Sequence, residues 1–438
     1  MTTLISLIII LTIVVIATAK YKLHPLISLL LASVFIGFLS GLESKAIIES
    51  IEKGFGDTLK SIGLIIVFGA IIGQYLEKSG GTKKIAETLL RMIGEKKSPL
   101  VMNLTGFIVS IPVFCDSGFI ILSSLNKAIS KKTGVSLTVL SVALATGLYA
   151  THVFVPPTPG PLAAAAALGA DIGLVIVLGL VVAIPSALAG LFWARSFAKK
   201  FKIVPDVNEP RGDDRALPSI SLSFAPIIIP IILIACKSIV NYPSFPFGRG
   251  IVYKIIDFAG DPFIALFIAV FISFLLKRKN LTTHGSWITD GLKNAGVIIL
   301  ITGAGGAFGN VLRTTDLGDY LGTTLSNWDV GLLLPFLIAA LLKTSQGSST
   351  VAIITTAAIV SPLLGPLKLE GEIAKALTVL AIGAGAMTVS HINDSYFWVV
   401  SQFSNMDTPT ALKTHTIATL LQGVSGMIII LLLALILL

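Results

Sequence analysis

Residues 111–119 read Ile111-Pro112-Val113-Phe114-Cys115-Asp116-Ser117-Gly118-Phe119, in the middle of a largely apolar stretch, 100–130, too long for one membrane crossing. A second stretch, 330–364, has the same build, with Thr344-Ser345-Gln346-Gly347-Ser348-Ser349-Thr350 interrupting it midway. Irregular backbone at membrane depth is tolerated only where it is buried in protein or lines a cavity. Both stretches therefore read as re-entrant hairpins that dip to mid-membrane and return.

Composition sets the solvent for this reading. The 438 residues include 32 Lys+Arg and 23 Asp+Glu, so charged residues make up 13% of the chain, about half the soluble average. The apolar fraction is 54%, with 40 glycines besides, and mean hydropathy is +0.92. So few charges could not cover a soluble fold of this size, and an all-α polytopic membrane protein follows. Cytosolic enzymes, nucleic-acid binders and secreted disulfide scaffolds are excluded. Cys115 and Cys236 both lie in apolar segments without metal-ligand spacing. No metal or cofactor is expected, and no nucleotide-binding motif supports a primary pump.

Apolar segments near 3–19, 23–42, 61–77, 136–170, 172–194, 220–236, 261–276, 295–312, 376–406 and 414–438 are candidate spans. Ala17-Thr18-Ala19 resembles a signal-peptidase site, but the first basic residue, Lys20, follows the apolar run, so 4–19 reads as a retained span. With the N-terminus outside and both hairpins non-crossing, segments predicted inside carry 22 of the 32 basic residues. That is the positive-inside pattern, and it sets both termini outside (periplasmic). Lys127, Lys131 and Lys132 would be stranded outside if 100–130 crossed. The net charge of +9 thus records orientation rather than an acidic partner.

The chain also repeats. Gly73-Gln74-Tyr75-Leu76-Glu77-Lys78-Ser79 resembles Gly309-Asn310-Val311-Leu312-Arg313-Thr314-Thr315, and Ala145 to His152 resembles Ala384 to His391. A first repeat over 1–195 and a second over 220–438, joined by a cytoplasmic linker at 196–219, would each hold five spans and one hairpin. Five is odd, so the two repeats run through the membrane in inverted topology, an architecture of secondary transporters whose site lies near the midplane.

Ionisable residues at that depth are costly and default to function. Asp116, His152, Lys343, His391 and Asp394 fall at the hairpin tips or in two broken spans, 136–170 and 376–406. The first break is Thr151-His152-Val153-Phe154-Val155-Pro156-Pro157-Thr158-Pro159-Gly160-Pro161, which cannot propagate a helix. Its counterpart is Ser390-His391-Ile392-Asn393-Asp394-Ser395.

The strings at 111–119, 151–161 and 390–398 resemble the gluconate permease family of sugar-acid symporters, within the ion transporter superfamily. The resemblance covers nearly the whole chain. It implies a proton-coupled inner-membrane importer of gluconate or a relative such as glycerate, another aldonate or D-serine, working as an elevator, with a homodimer as the oligomeric option. Family members commonly have His where this chain has Thr158, and a more apolar residue where Ser117 stands.

Physical chemistry agrees in kind. Each returning hairpin arm starts at mid-membrane, near Ser117 and Ser349, and presents free N–H groups and a positive dipole end to an anion. The candidate substrate site is Asp116, Ser117, Gly118, Thr151, His152, Thr158, Gln346, Gly347, Ser348, Ser349, Thr350, Ser390 and Asn393. Proton coupling falls to Asp116, His391 and Asp394, the last two sharing a face if that segment stays helical. Coupling has a motive, since an anion entering an inside-negative cell meets about 2.3 kcal/mol per 100 mV. Each residue has a plainer role open to it: Asp116 as an N-cap, the histidines as bonded structural groups, Lys343 as a structural ion-pair partner, 347–350 as a tip and cap. His24, His284 and His415 read as interfacial or loop residues. A sodium-coupled carrier, a channel and a membrane-embedded hydrolase built on Ser, His and Asp are the rival readings.

Overall fold

A computed structural model describes residues 21, 23–205, 217–241, 250–276, 281–315, 331–392 and 394–438. The predicted span at 4–19 lies outside the described residues. The described secondary structure is helical throughout. The first half runs α1 (Pro25–Leu39), α2 (Ser44–Ser79), α3 (Gly81–Ile93), α4 (Ser98–Val109), α5 (Cys115–Thr133), α6 (Leu137–Phe154), α7 (Pro159–Leu168) and α8 (Ile172–Ser196). The second runs α9 (Ile220–Val240), α10 (Ile251–Ala259), α11 (Pro262–Phe274), α12 (Leu281–Arg313), α13 (Leu333–Gln346), α14 (Ser349–Val360), α15 (Glu372–Met387), α16 (Ser395–Phe403), α17 (Thr408–Ala411) and α18 (Ile417–Leu437).

Local chemistry explains the ends. Gly80, Gly134 and Gly169 close α2, α5 and α7 in the left-handed region, which glycine enters without a Cβ penalty. Asp171, Ser219 and Asp261 cap α8, α9 and α11 by accepting from Leu174 N (2.7 Å), Leu222 N (3.4 Å) and Phe263 N (3.0 Å). Pro156 and Pro157 end α6, and Pro159 restarts the chain at the first turn of α7, where a missing N–H costs nothing.

Both interrupted stretches form helical hairpins. Arms α4, α13 and α14 have 12, 14 and 12 residues, or about 18–21 Å, against a hydrocarbon core of about 30 Å. Six described helical segments are long and apolar enough to cross, or seven if α10 and α11, bent by 68°, make one. The ten apolar segments read from sequence differ for identifiable reasons. Segment 23–42 holds a helix of only 15 residues, 376–406 is split into helices of 16 and 9, and 261–276 holds only α11.

The element order repeats: a long helix (α2, α12), a hairpin (α4–α5, α13–α14), a broken pair (α6–α7, α15–α16) and a closing helix (α8, α18). The packing repeats with it. The outgoing arm lies on the first half of its own broken pair, α4 on α6 and α13 on α15. Each returning arm crosses to the second member of the broken pair in the other half of the chain, α5 to α16 and α14 to α7. At the matched positions 74 and 310, Gln74 Oε1 accepts from Asn294 Nδ2 (3.2 Å) and Asn310 Nδ2 donates to Ser50 O and Oγ (2.9 Å each), so each ties α2 to α12. At the centre stands α6, with all 18 residues buried. It packs so close to α4 that a Cβ on Gly147 would lie 2.0 Å from Asn103 O.

Candidate functional site

The polar residues converge on the N-terminus of α16. Asp394 caps that helix, its Oδ1 accepting from Tyr396 N at 3.1 Å. Its Oδ2 forms an ion pair with Lys343 of α13 and accepts from Ser390 Oγ at 2.5 Å. The Lys343 and Asp394 side chains are only 1% and 4% exposed. Lys343 Nζ also donates to Gly347 O at 3.3 Å and stands 5.9 Å from the Tyr149 ring centroid. One residue on, Ser395 Oγ donates to Asp116 Oδ2 at 3.3 Å, which brings in the first hairpin. Both hairpins thus reach the same helix end, one from each half of the chain. A buried ion pair of this kind is weak evidence for stability, because desolvation offsets most of the attraction.

Of the sequence candidates, Asp116, Ser390 and Asp394 meet in this cluster, and Lys343 joins them. Asp116 does not serve as an N-cap: Phe114 occupies that position and no side chain caps α5. His391 and Asp394 do not share a helical face, because α15 ends at Met387 and neither 388–392 nor Asp394 is helical. His391 Nε2 instead lies 3.0 Å from Thr344 O, and Asp394 takes Lys343. Gly347 and Ser348 form the second tip, Gly347 closing α13 at φ +75° and Ser348 Oγ accepting from Val351 N (3.4 Å). Ser349 is buried and Thr350 half-buried in the first turn of α14. Both amide atoms of Gln346 are buried with no partner among the described residues, as is His152 Nδ1. Thr151 and Thr158 hydroxyls donate to Phe107 O (2.8 Å) and Val155 O (2.6 Å). Gly118 serves packing, since a Cβ there would meet Leu148 Cδ2 at 2.8 Å, and Ser117 beside it is half-buried. Asn393 lies outside the described residues.

Three contributors escaped sequence reasoning. His415, read as interfacial or in a loop, is fully buried in a π-helical turn (Leu412–Thr416), with Nε2 3.2 Å from Ser390 Oγ. Such turns widen a helix by one residue and recur at functional sites. Tyr149 and Tyr396 wall the cluster with ring centroids 5.1 Å apart, and Tyr396 also packs on His415 at 5.4 Å. Their hydroxyls donate to Ala386 O (3.3 Å) and Ala145 O (2.8 Å), each reaching into the other half of the chain.

The chain matches the model of the GntP family permease over residues 1–436. It is 35% identical to the gluconate permease of Pseudomonas aeruginosa, covering 97% of this chain and 95% of the relative. It is 35% identical to the D-serine transporter DsdX of Escherichia coli, covering 96% and 95%. The crystal structure of the Alcanivorax borkumensis YdaH transporter superposes with a TM-score of 0.70 at 13% identity, covering 94% of this chain and 98% of that one, a likeness of fold.

Proposed function

The chain belongs to the GntP permease family, and on that premise we propose that it imports gluconate or a related small sugar acid by proton symport. It is a multi-pass membrane transporter, not an enzyme, so the hydrolase reading is set aside.

The observation that carries the proposal is the buried Lys343–Asp394 pair at the meeting point of both hairpins. Lys343 is satisfied by one carboxylate. When the substrate carboxylate takes its place on Lys343, Asp394 becomes an uncompensated buried charge, a penalty of about 3–5 kcal/mol. One proton on Asp394 removes it, so anion and proton enter the site together. Ser390, which shares Asp394 Oδ2, and His415 behind it form the path by which that proton is held. The unpartnered Gln346 amide and His152 Nδ1 offer hydrogen bonds to substrate hydroxyls. Asp116, tied to Ser395 next to Asp394, is the carboxylate through which that same proton enters and leaves the site.

Movement fits an elevator in which α2 and α12 form the scaffold and the hairpins and broken pairs travel as one unit. Small residues line the boundary: a Cβ on Gly73 would lie 2.5 Å from Pro112 O, and one on Gly69 3.3 Å from Pro157 O. The matched Gly309 faces Ala358 O at 3.3 Å in the same way. Inverted repeats, re-entrant hairpins, residence in the inner membrane with both termini outside, and a homodimer belong to the same proposal.

A second reading follows from the ion pair itself. An amino acid zwitterion would satisfy Lys343 with its carboxylate and Asp394 with its ammonium, with no proton needed for charge balance. D-serine is the natural candidate, given the family. Uptake of labelled gluconate, glycerate, idonate, fructuronate and D-serine into proteoliposomes, with an imposed pH or sodium gradient, separates the readings. Gluconate accumulation driven by pH supports the symporter; accumulation driven by sodium alone, or none without trans substrate for any sugar acid, overturns it.

A further inference from the structure

At one end of the molecule, away from the transport site, a cavity of about 550 Å³ opens between the α5–α6 turn and the chain that follows α8. Lys131, Arg195, Lys199 and Lys202 line it, and no acidic residue does among the described residues. None of the four forms an ion pair among the described residues, whereas Lys132 beside them is paired with Glu95 at 2.5 Å. The cavity has a built floor. Residues 197–205 fold back against the start of α6, where Leu137 N donates to Ile203 O (3.0 Å), Ile203 N to Ser136 Oγ (3.2 Å) and Ser136 Oγ to Phe201 O (3.0 Å). Four like charges held around a preformed cavity repel one another unless an anion sits among them.

The surface leading to the cavity identifies the anion's other half. Val177, Val181, Ile184, Leu188 and Phe192 are exposed and follow one another at three- and four-residue steps, so they form a single apolar stripe along α8. Arg195 continues the same register in the last turn of α8, and Lys199 follows in the 3-10 turn beyond it. Trp193 stacks on Phe197 at 4.2 Å and Lys200 lies 5.4 Å over the Phe197 ring, a grouping suited to the level of lipid headgroups. A soluble phosphate would use only the basic cavity; an anionic phospholipid would use both.

We propose that this cavity binds the phosphodiester headgroup of an anionic phospholipid, with an acyl chain lying along the α8 stripe. Basic pockets between membrane helices bind such headgroups, with about 1 kcal/mol per Lys or Arg near the surface, or about fivefold in affinity each.

The test is native mass spectrometry of the purified full-length protein, titrated with phosphatidylglycerol, phosphatidylcholine, glycerol phosphate and inorganic phosphate. Phosphatidylglycerol should bind and the other three should not compete. In Lys131→Gln/Lys199→Gln/Lys202→Gln its affinity should fall roughly a hundredfold. The charge-conserving Lys131→Arg/Lys199→Arg/Lys202→Arg should keep it, and so should Lys83→Gln/Lys84→Gln/Lys96→Gln, which removes as much charge outside the cavity. Equal loss in that last variant, loss in the Arg variant, binding of glycerol phosphate as tight as that of the lipid, or no selective binding by the wild type would each overturn the proposal.

Discussion

Removing one partner of the Lys343–Asp394 pair and removing both should have opposite consequences. In Lys343→Met the carboxylate keeps two hydrogen bonds, from Ser390 Oγ and Tyr396 N, but loses its cation. The cost of breaking a buried pair is about 3–5 kcal/mol, and the two surviving bonds place this variant near 3. In Asp394→Asn the ammonium keeps only Gly347 O at 3.3 Å, so its loss should sit nearer 5 kcal/mol. Asn still caps α16, so the helix start is not what is lost. In the double variant neither charge remains, and stability should return to within about 1 kcal/mol of wild type, as replacing buried pairs by neutral groups is often neutral. Thermal unfolding of the four purified proteins in one detergent measures this: drops of several degrees for the singles and near-recovery for the double. Transport should be absent in all three variants. Additive losses in the double variant would show that the two residues do not interact, and the reasoning built on the pair would fail.

Further outcomes follow from the same geometry. Gly147→Ala places a Cβ 2.0 Å from Asn103 O, so α4 and α6 must part, at a cost of about 1–3 kcal/mol readable as a lower melting temperature; an unchanged melt would show that this contact yields freely. Arg313 joins the end of α12 to Ala167 O (2.9 Å) and to the Ser361 hydroxyl, bridging the proposed scaffold and moving unit. Arg313→Gln should therefore shift the inward–outward equilibrium and change the exchange rate of substrate without changing its specificity, and an unchanged counter-flow rate would count against a two-body motion. Asp116→Asn keeps a hydrogen-bonding partner for Ser395 but no titratable proton, so pH-driven accumulation should fall while equilibrative exchange persists.

Much of this was legible in the chain because hydropathy reports where apolar helices stop. The interruption at 114–118 falls at the start of α5, just past the α4–α5 turn, and that at 344–350 spans the turn between α13 and α14. The proline run at 156–161 falls at the α6–α7 break. Extent was less legible. The apolar window at 61–77 gives no hint that α2 begins at Ser44, because Glu49, Glu52, Lys53 and Asp57 raise polarity without interrupting backbone hydrogen bonds. The pairing of Lys343 with Asp394 spans 51 residues, and no local pattern encodes it. His415 was hidden by its neighbours: its burial depends on an extra residue in the helical turn, which shifts the side chain inward without any signature in the periodicity.

The most direct test of the exchange at Lys343 counts protons at the moment of binding. Purified transporter in weakly buffered solution, with a pH-sensitive dye, is mixed with gluconate and separately with D-serine. One proton taken up per gluconate bound, none per D-serine, and none for either in Asp394→Asn is the predicted result. Gluconate binding without proton uptake in the wild type, or undiminished uptake in Asp394→Asn, would contradict it.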